Sequence, residues 1–262
     1  MTQKWVPLVE VVAYLDLYLR TREVPDEVNA LNGLQVENTG GVSRLVAAVD
    51  ASQQTIDGLA TGQPGSLLLV HHGMFWDGHQ PISGRRYRKV RALIARDAAL
   101  YAAHIPLDIH PEVGNNAVLA RKLGLTATDW FGVHKGITIG VAGTPPLELN
   151  RRDALAPALA GILGLAPEVI RVIPGGPETV RRIGVITGGA GSAIGQAHSA
   201  GCDTYITGEG AAHTFFDATE LGVNVVYAGH YATETVGVQA LAQHLGERFE
   251  LPWEFHDHPT GM

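Results

Sequence analysis

The chain has 262 residues and a mass of 27.8 kDa, with 45% hydrophobic and 17% charged residues. A sizeable core is therefore available and disorder is excluded, while no apolar run approaches the roughly 20 residues of a membrane span. The net charge of −7 argues against bulk binding to nucleic acid, and a single cysteine, Cys202, rules out an intramolecular disulfide and fits a reducing, cytoplasmic setting.

Residues 1–20 read as an amphipathic helix rather than a signal region. Val46–Val49 reads as a strand, and Ser52 caps a helix over Gln53–Ala60. Leu67–Val70 is a short apolar strand that runs into His71-His72-Gly73. A basic helix follows over Arg85–Ala98, then a strand over Leu100–Ile105, then Leu107-Asp108 and a helix over Asn115–Leu123. Pro106 is expected to hold the exit from that strand extended.

The stretch from about Gly132 to Gly176 reads as a connector with a short strand, Ile137–Val141, and a helix, Ala154–Leu163. Beyond it the plan repeats. Ile183–Ile186 opens into Gly188-Gly189-Ala190-Gly191, with Ser192 at a helix start. Asp203–Ile206 ends in Thr207-Gly208-Glu209, and a helix covers Ala212–Leu221. Val223–Tyr227 ends in Ala228-Gly229-His230, and a last helix covers Thr233–Arg248. Strand–helix alternation of this kind predicts an α/β fold with largely parallel sheets in two domains, 1–131 and 132–262. The second contains the connector and the second α/β half.

Ligands of open α/β sheets bind beyond the carboxyl ends of the strands. His71, His72, Asp108, Glu209 and His230 all fall there. Imidazole is a common ligand of divalent metals, although two adjacent histidines also suit a polar loop. His230 and Glu234 are four apart, so they share a side if the helix starts by His230. A helix-start carboxylate is the plainer alternative. Three imidazoles and two carboxylates in three strand-end loops make a dinuclear site credible, since two ions can share carboxylates and activate a water.

These residues match a family. Asn32-Gly33-Leu34-Gln35-Val36, His71-His72-Gly73-Met74-Phe75-Trp76, His104-Ile105-Pro106-Leu107-Asp108, Gly114-Asn115-Asn116, Thr207-Gly208-Glu209 and Gly229-His230-Tyr231-Ala232-Thr233-Glu234 carry the resemblance. The chain resembles the Nif-three-like dinuclear metal centre family, also called the GTP cyclohydrolase I type 2 family, in its short bacterial branch. The resemblance implies two interlinked α/β domains, a toroidal homohexamer, and two divalent ions per subunit. Their ligands then fall on His71, His72, Asp108, His230 and Glu234. The donor set suits zinc, iron, manganese, nickel or cobalt.

Other residues are second-tier candidates. Glu209 and His213 suit holding a ligand in place or moving a proton, and His104 suits holding Asp108 or a water. Arg85, Arg86 and Arg88, on the basic helix, suit a collar for an anionic substrate, although a solvated helix face is the plainer reading. Gly188-Gly189-Ala190-Gly191-Ser192 can cradle an anion or allow close helix–sheet packing. Met74, Phe75 and Trp76 read as exposed apolar residues available for self-association. The preferred function is a metal-dependent hydrolase of a nucleotide or another anionic small molecule. The alternative is a non-catalytic metal-binding, metal-delivery or scaffold ring.

Overall fold

The computed structural model describes residues 4–261. Residues 1–3 of the N-terminal helix reading lie outside the described residues; the helix itself is Leu8–Tyr18. The chain folds as two compact units. One comprises residues up to Val113 with Val238–His258, and the other comprises Gly114–Gly237 with the residues from Pro259. A boundary at 131 would cut the strand Thr126–His134, so the division lies earlier, at 113. The last helix, His230–Phe249, starts in the second unit, and its residues from Val238 belong to the first.

In the first unit a five-stranded sheet has the order Trp253–Phe255, Arg44–Asp50, Ser66–His72, Ala98–Ala102, Gly33–Val36. The first four strands run parallel and Gly33–Val36 is antiparallel. Leu45–Val49, Leu67–Val70 and Ala98–Ala102 are buried almost throughout, as expected of parallel strands covered on both faces, which read as apolar runs rather than alternations. Register pairs Ala48 with Val70 and Val70 with Ala102, and it sets Asp50 beside His72 at the carboxyl ends. The helix Gln53–Asp57 starts at Ser52, whose hydroxyl accepts the Thr55 N–H at 3.0 Å. The basic helix is Gly84–Ala95, and Leu93 from it joins the core under the sheet.

The second unit holds a six-stranded sheet in the order Thr126–His134, Ile137–Thr144, Ile183–Val185, Thr204–Thr207, Asn224–Tyr227, Arg171–Pro174. Here the expectation of a largely parallel sheet fails. Ile183–Val185, Thr204–Thr207 and Asn224–Tyr227 are mutually parallel, and the three outer strands pair antiparallel. Ile137–Thr144 and Arg171–Pro174 come from the segment that reads as a connector, and Thr126–His134 runs into it. Thr126–His134 is mostly exposed, so it carries no apolar alternation to announce it. Lys135 (φ 48°) and Gly136 (φ 83°) close its hairpin with Ile137–Thr144, and two positive φ values in a two-residue loop match a type I′ turn. The pseudo-repeat survives as three successive parallel strands in each sheet. Among the described residues, no helix is long and apolar enough to cross a membrane.

Candidate metal centre

His71 and His72 are the last two residues of their strand rather than part of the following loop. Successive strand residues face opposite ways, yet at this strand end the two rings lie 4.7 Å apart, centre to centre, inclined at 48°. His104 follows the next strand, and its ring lies 4.9 Å from His71 and 5.6 Å from His72. Each ring is held through Nδ1 to an oxygen. His71 bonds the Ala103 carbonyl at 3.0 Å, His72 bonds Asp50 at 3.0 Å, and His104 bonds Asp26 at 2.8 Å. A ring that gives its Nδ1 proton to an oxygen acceptor presents the Nε2 lone pair, the arrangement of a metal-ligating histidine. One donor atom from each ring falls in a group whose members all lie within 4.8 Å of one another. Asp108 Oδ1 is 3.6 Å from His71 Nε2.

The loops around this cluster are set by side-chain hydrogen bonds. Asp26 accepts from His104 Nδ1, Asn32 Nδ2 and the N–H groups of Glu27 and Ile105. Burial alone would raise the Asp26 carboxyl, but the His104 bond and charge, with the Asn32 and Glu27 bonds, outweigh it and hold it below its usual range. Gln35 accepts the Met74 N–H at 2.8 Å, and its side chain packs so close to Gly73 that a Cβ there would collide with it. Asp108 does not sit in an extended exit. Ile105–Asp108 is a single helical turn with Pro106 at its start, where a missing N–H costs no hydrogen bond.

In the second unit the last helix begins at His230, so Glu234 stands one turn further along on the same side. His230 Nε2 is 3.3 Å from Glu234 Oε1, and its Nδ1 is 2.8 Å from Glu209 Oε1. Glu234 is buried. The hydrogen bond to Glu234, against the opposing effect of burial and helped by the Glu234 charge and by Glu209, pushes the His230 imidazole up to about 9. Without metal at neutral pH, the ring therefore carries a proton between two carboxylates. Glu209 thus holds His230 in place. His213 lies at the exposed start of the helix Thr214–Leu221, and its ring makes no hydrogen bond among the described residues.

The glycine-rich turn packs closely rather than offering an anion cradle. Its N–H groups at Thr187 and Gly188 are already given to Asn116 Oδ1 and Thr233 Oγ1. Gly188 has φ +70°, and a Cβ on it would collide with the Glu234 carboxylate, while one on Gly191 would collide with Gly210. The turn leads into a short 3₁₀ segment, Gly191–Ala193, before the helix Ile194–Ser199.

The basic helix is not a uniform collar. Arg86 is buried, bonded to Asp77 and to the carbonyls of Gly78 (2.8 Å) and Gln80 (2.8 Å), with its guanidinium 5.1 Å from the centre of the Phe75 ring. It latches the 74–80 loop and is unavailable to a substrate. Arg85 reaches Asp77 at 3.1 Å, and Arg88 is exposed. Met74 is a core residue and Phe75 packs against that core, so neither is the exposed contact residue that the sequence suggested. Trp76 stands edge-on to His104 at 4.9 Å and to His72 at 5.8 Å.

Asp50 and Asp26 escaped the sequence reading. Asp50 had a signal, a carboxylate closing an apolar strand. Asp26 had none, because its partner lies 78 residues away. A further signal was legible but unread: each unit follows its third parallel strand with a histidine and, four residues on, a carboxylate, His104 with Asp108 and His230 with Glu234.

Imidazole and carboxylate donors without thiolate suit a borderline divalent ion. The chain has two groups fit to hold one: the imidazoles of the first unit, and a second group to which His230 and Glu234 contribute. A protein of Deinococcus radiodurans called GTP cyclohydrolase 1 type 2 homolog is 46% identical over 254 residues, covering 97% of this chain and 94% of its own. Among solved structures, the protein ybgI, described as of unknown function, matches with a TM-score of 0.84 at 34% identity, covering 98% of this chain and all of that one. TTHA1606 from Thermus thermophilus matches with a TM-score of 0.82 at 40% identity and the same coverage. The family model of Duf34/NIF3 (NGG1p interacting factor 3) matches residues 8–260, and the chain belongs to that family.

Proposed function

We propose that the chain is a metal-dependent hydrolase of a nucleotide or another anionic small molecule, with two divalent ions held by His71, His72, Asp108, His230 and Glu234, and with His104 as a further donor beside His71 and His72. The observation that carries this reading is the set of imidazoles tied through Nδ1 to Ala103, Asp50 and Asp26, with one donor atom of each within 4.8 Å of the others. When bound, such ions lower the pKa of a water and polarise an oxygen of the substrate. The protein's own groups do the positioning. Asp50 and Asp26 keep protons on Nδ1 and orient the rings. Glu209 does the same for His230 with one oxygen, and its other oxygen is the group we assign to accept a proton from the attacking water. The nucleotide preference rests on the names of the relatives, GTP cyclohydrolase 1 type 2 homologs.

The test is a hydrolase panel that includes GTP, run on protein of measured metal content. Turnover that vanishes with a chelator and returns with one of the candidate metals is expected. A chain that holds two ions and turns over nothing would favour the metal-carrier alternative. The toroidal homohexamer is part of the same proposal. Exposed Phe215, Phe216, Trp130 and Val133 support self-association. Light scattering should give six times 27.8 kDa. A cytoplasmic location is supported by the single free, buried Cys202.

A further inference from the structure

Beside the imidazole cluster, within the first unit, lies a cavity of about 210 Å³ whose walls include Met74, Trp76, Asp77, Arg85, Arg86 and Lys89. That is several times the roughly 30 Å³ share of one water. Its charged walls hold three cations against one carboxylate, a surplus of two positive charges. Arg86 is spent on the loop, and Asp77 is shared between Arg86 and Arg85. Lys89 is different. It is half-buried and has no hydrogen bond or ion pair among the described residues. The carboxylates whose field reaches it, Asp50 and Asp77, are committed to His72 and to the two arginines.

We propose that this cavity binds the phosphate group of a phosphate monoester through Lys89 and Arg85, with Trp76 as the wall between the phosphate and the imidazole cluster. A half-buried ammonium with no ion-pair or hydrogen-bond partner is costly, and an incoming dianion matches the surplus of two positive charges. Burial, and then the neighbouring Arg85, pull the Lys89 ammonium below its usual range, a strain that a bound anion relieves. Trp76 touches both sides, since its ring lines the cavity and stands edge-on to His72 and His104. Calling the bound molecule a substrate rests on the hydrolase reading; the binding of phosphate does not.

The probe is inorganic phosphate, titrated calorimetrically at low salt into the metal-loaded full-length chain. One phosphate per chain is expected. Lys89→Met should weaken it about tenfold or more, while Arg88→Met, an equal charge loss on the same helix outside the cavity, should change it less than twofold. Equal losses in the two variants would reduce the effect to a general field and overturn the proposal, as would unchanged binding in Lys89→Met. A second measurement needs no variant. Saturating phosphate should slow reductive methylation of Lys89 in the wild-type chain, read by mass spectrometry, and an unchanged rate would overturn the site. A negative hydrolase panel with phosphate bound at Lys89 would sink only the enzymatic reading. Turnover with Lys89 indifferent to phosphate would sink only this one.

Discussion

In the first unit the strand Ala98–Ala102 leads to His104 and Asp108, and in the second Asn224–Tyr227 leads to His230 and Glu234. The backbone plan is shared, but the charge is distributed in opposite ways. The first unit presents three imidazoles, with Asp108 3.6 Å from His71 Nε2, and sets Asp50 and Asp26 against the Nδ1 atoms of His72 and His104. The second presents one imidazole with a carboxylate on each nitrogen. A ring between two acids demands a cation, and in the metal-free chain that cation is the His230 proton. The same strand-end geometry thus yields an imidazole-rich donor set in one unit and an anion-rich donor set in the other.

The sharpest way to break this comparison is to remove one member from each side. If, as proposed, Glu234 serves both ions, Glu234→Ala should lose close to two ions per chain after mild dialysis, whereas His71→Ala should lose closer to one. Full metal occupancy in Glu234→Ala, by elemental analysis, would end the dinuclear assignment. The supporting acids come next. Asp26→Ala should weaken metal binding by about 10–100-fold, the usual range for an outer-shell partner of a ligating histidine. Glu209→Ala should lie at the lower end, since the Glu209 side chain is 43% exposed and water can replace it. Competition with a coloured chelator would rank the two, and a larger effect at Glu209 would reverse the comparison.

The smallest effects are those of pH on the metal-free chain, and they should carry opposite signs. His230 is raised from 6.5 to about 9, so its stabilising contribution is complete below the unfolded value and is lost as pH rises through about 9. Asp26 is lowered from 3.8, so its contribution is present above that value and is lost as pH falls through the depressed one. Hydrogen exchange should therefore show the second unit loosening first in alkali and the first unit in acid. The same proton on His230 must leave when metal binds, so uptake near pH 7 should release it, and calorimetry in buffers of different ionisation enthalpy would count it. Metal uptake without proton release would mean that His230 is not a ligand.

The parts of this protein that are local in the chain were legible in its residues. Doubly covered strands declare themselves as apolar runs, and the His-His-Gly end of one strand places two imidazoles without any knowledge of the fold. The His230–Glu234 spacing becomes a shared helix side as soon as the helix starts at His230, which it does. The helix cap at Ser52 is equally local. Tertiary structure decided what those groups touch. The oxygen that orients His104 comes from Asp26 and the one that orients His72 from Asp50, across 78 and 22 residues. No spacing rule encodes such pairs, because strand order and register choose them. Nor does composition separate Arg86, buried as a loop latch, from Arg88, exposed two residues later, since which side of a helix meets a loop is fixed only when the loop folds back on it. The direction of the outer strands in the second sheet is of the same kind. Thr126–His134 carries no apolar alternation, so its place is set by the type I′ hairpin and the neighbour it finds, not by its own side chains.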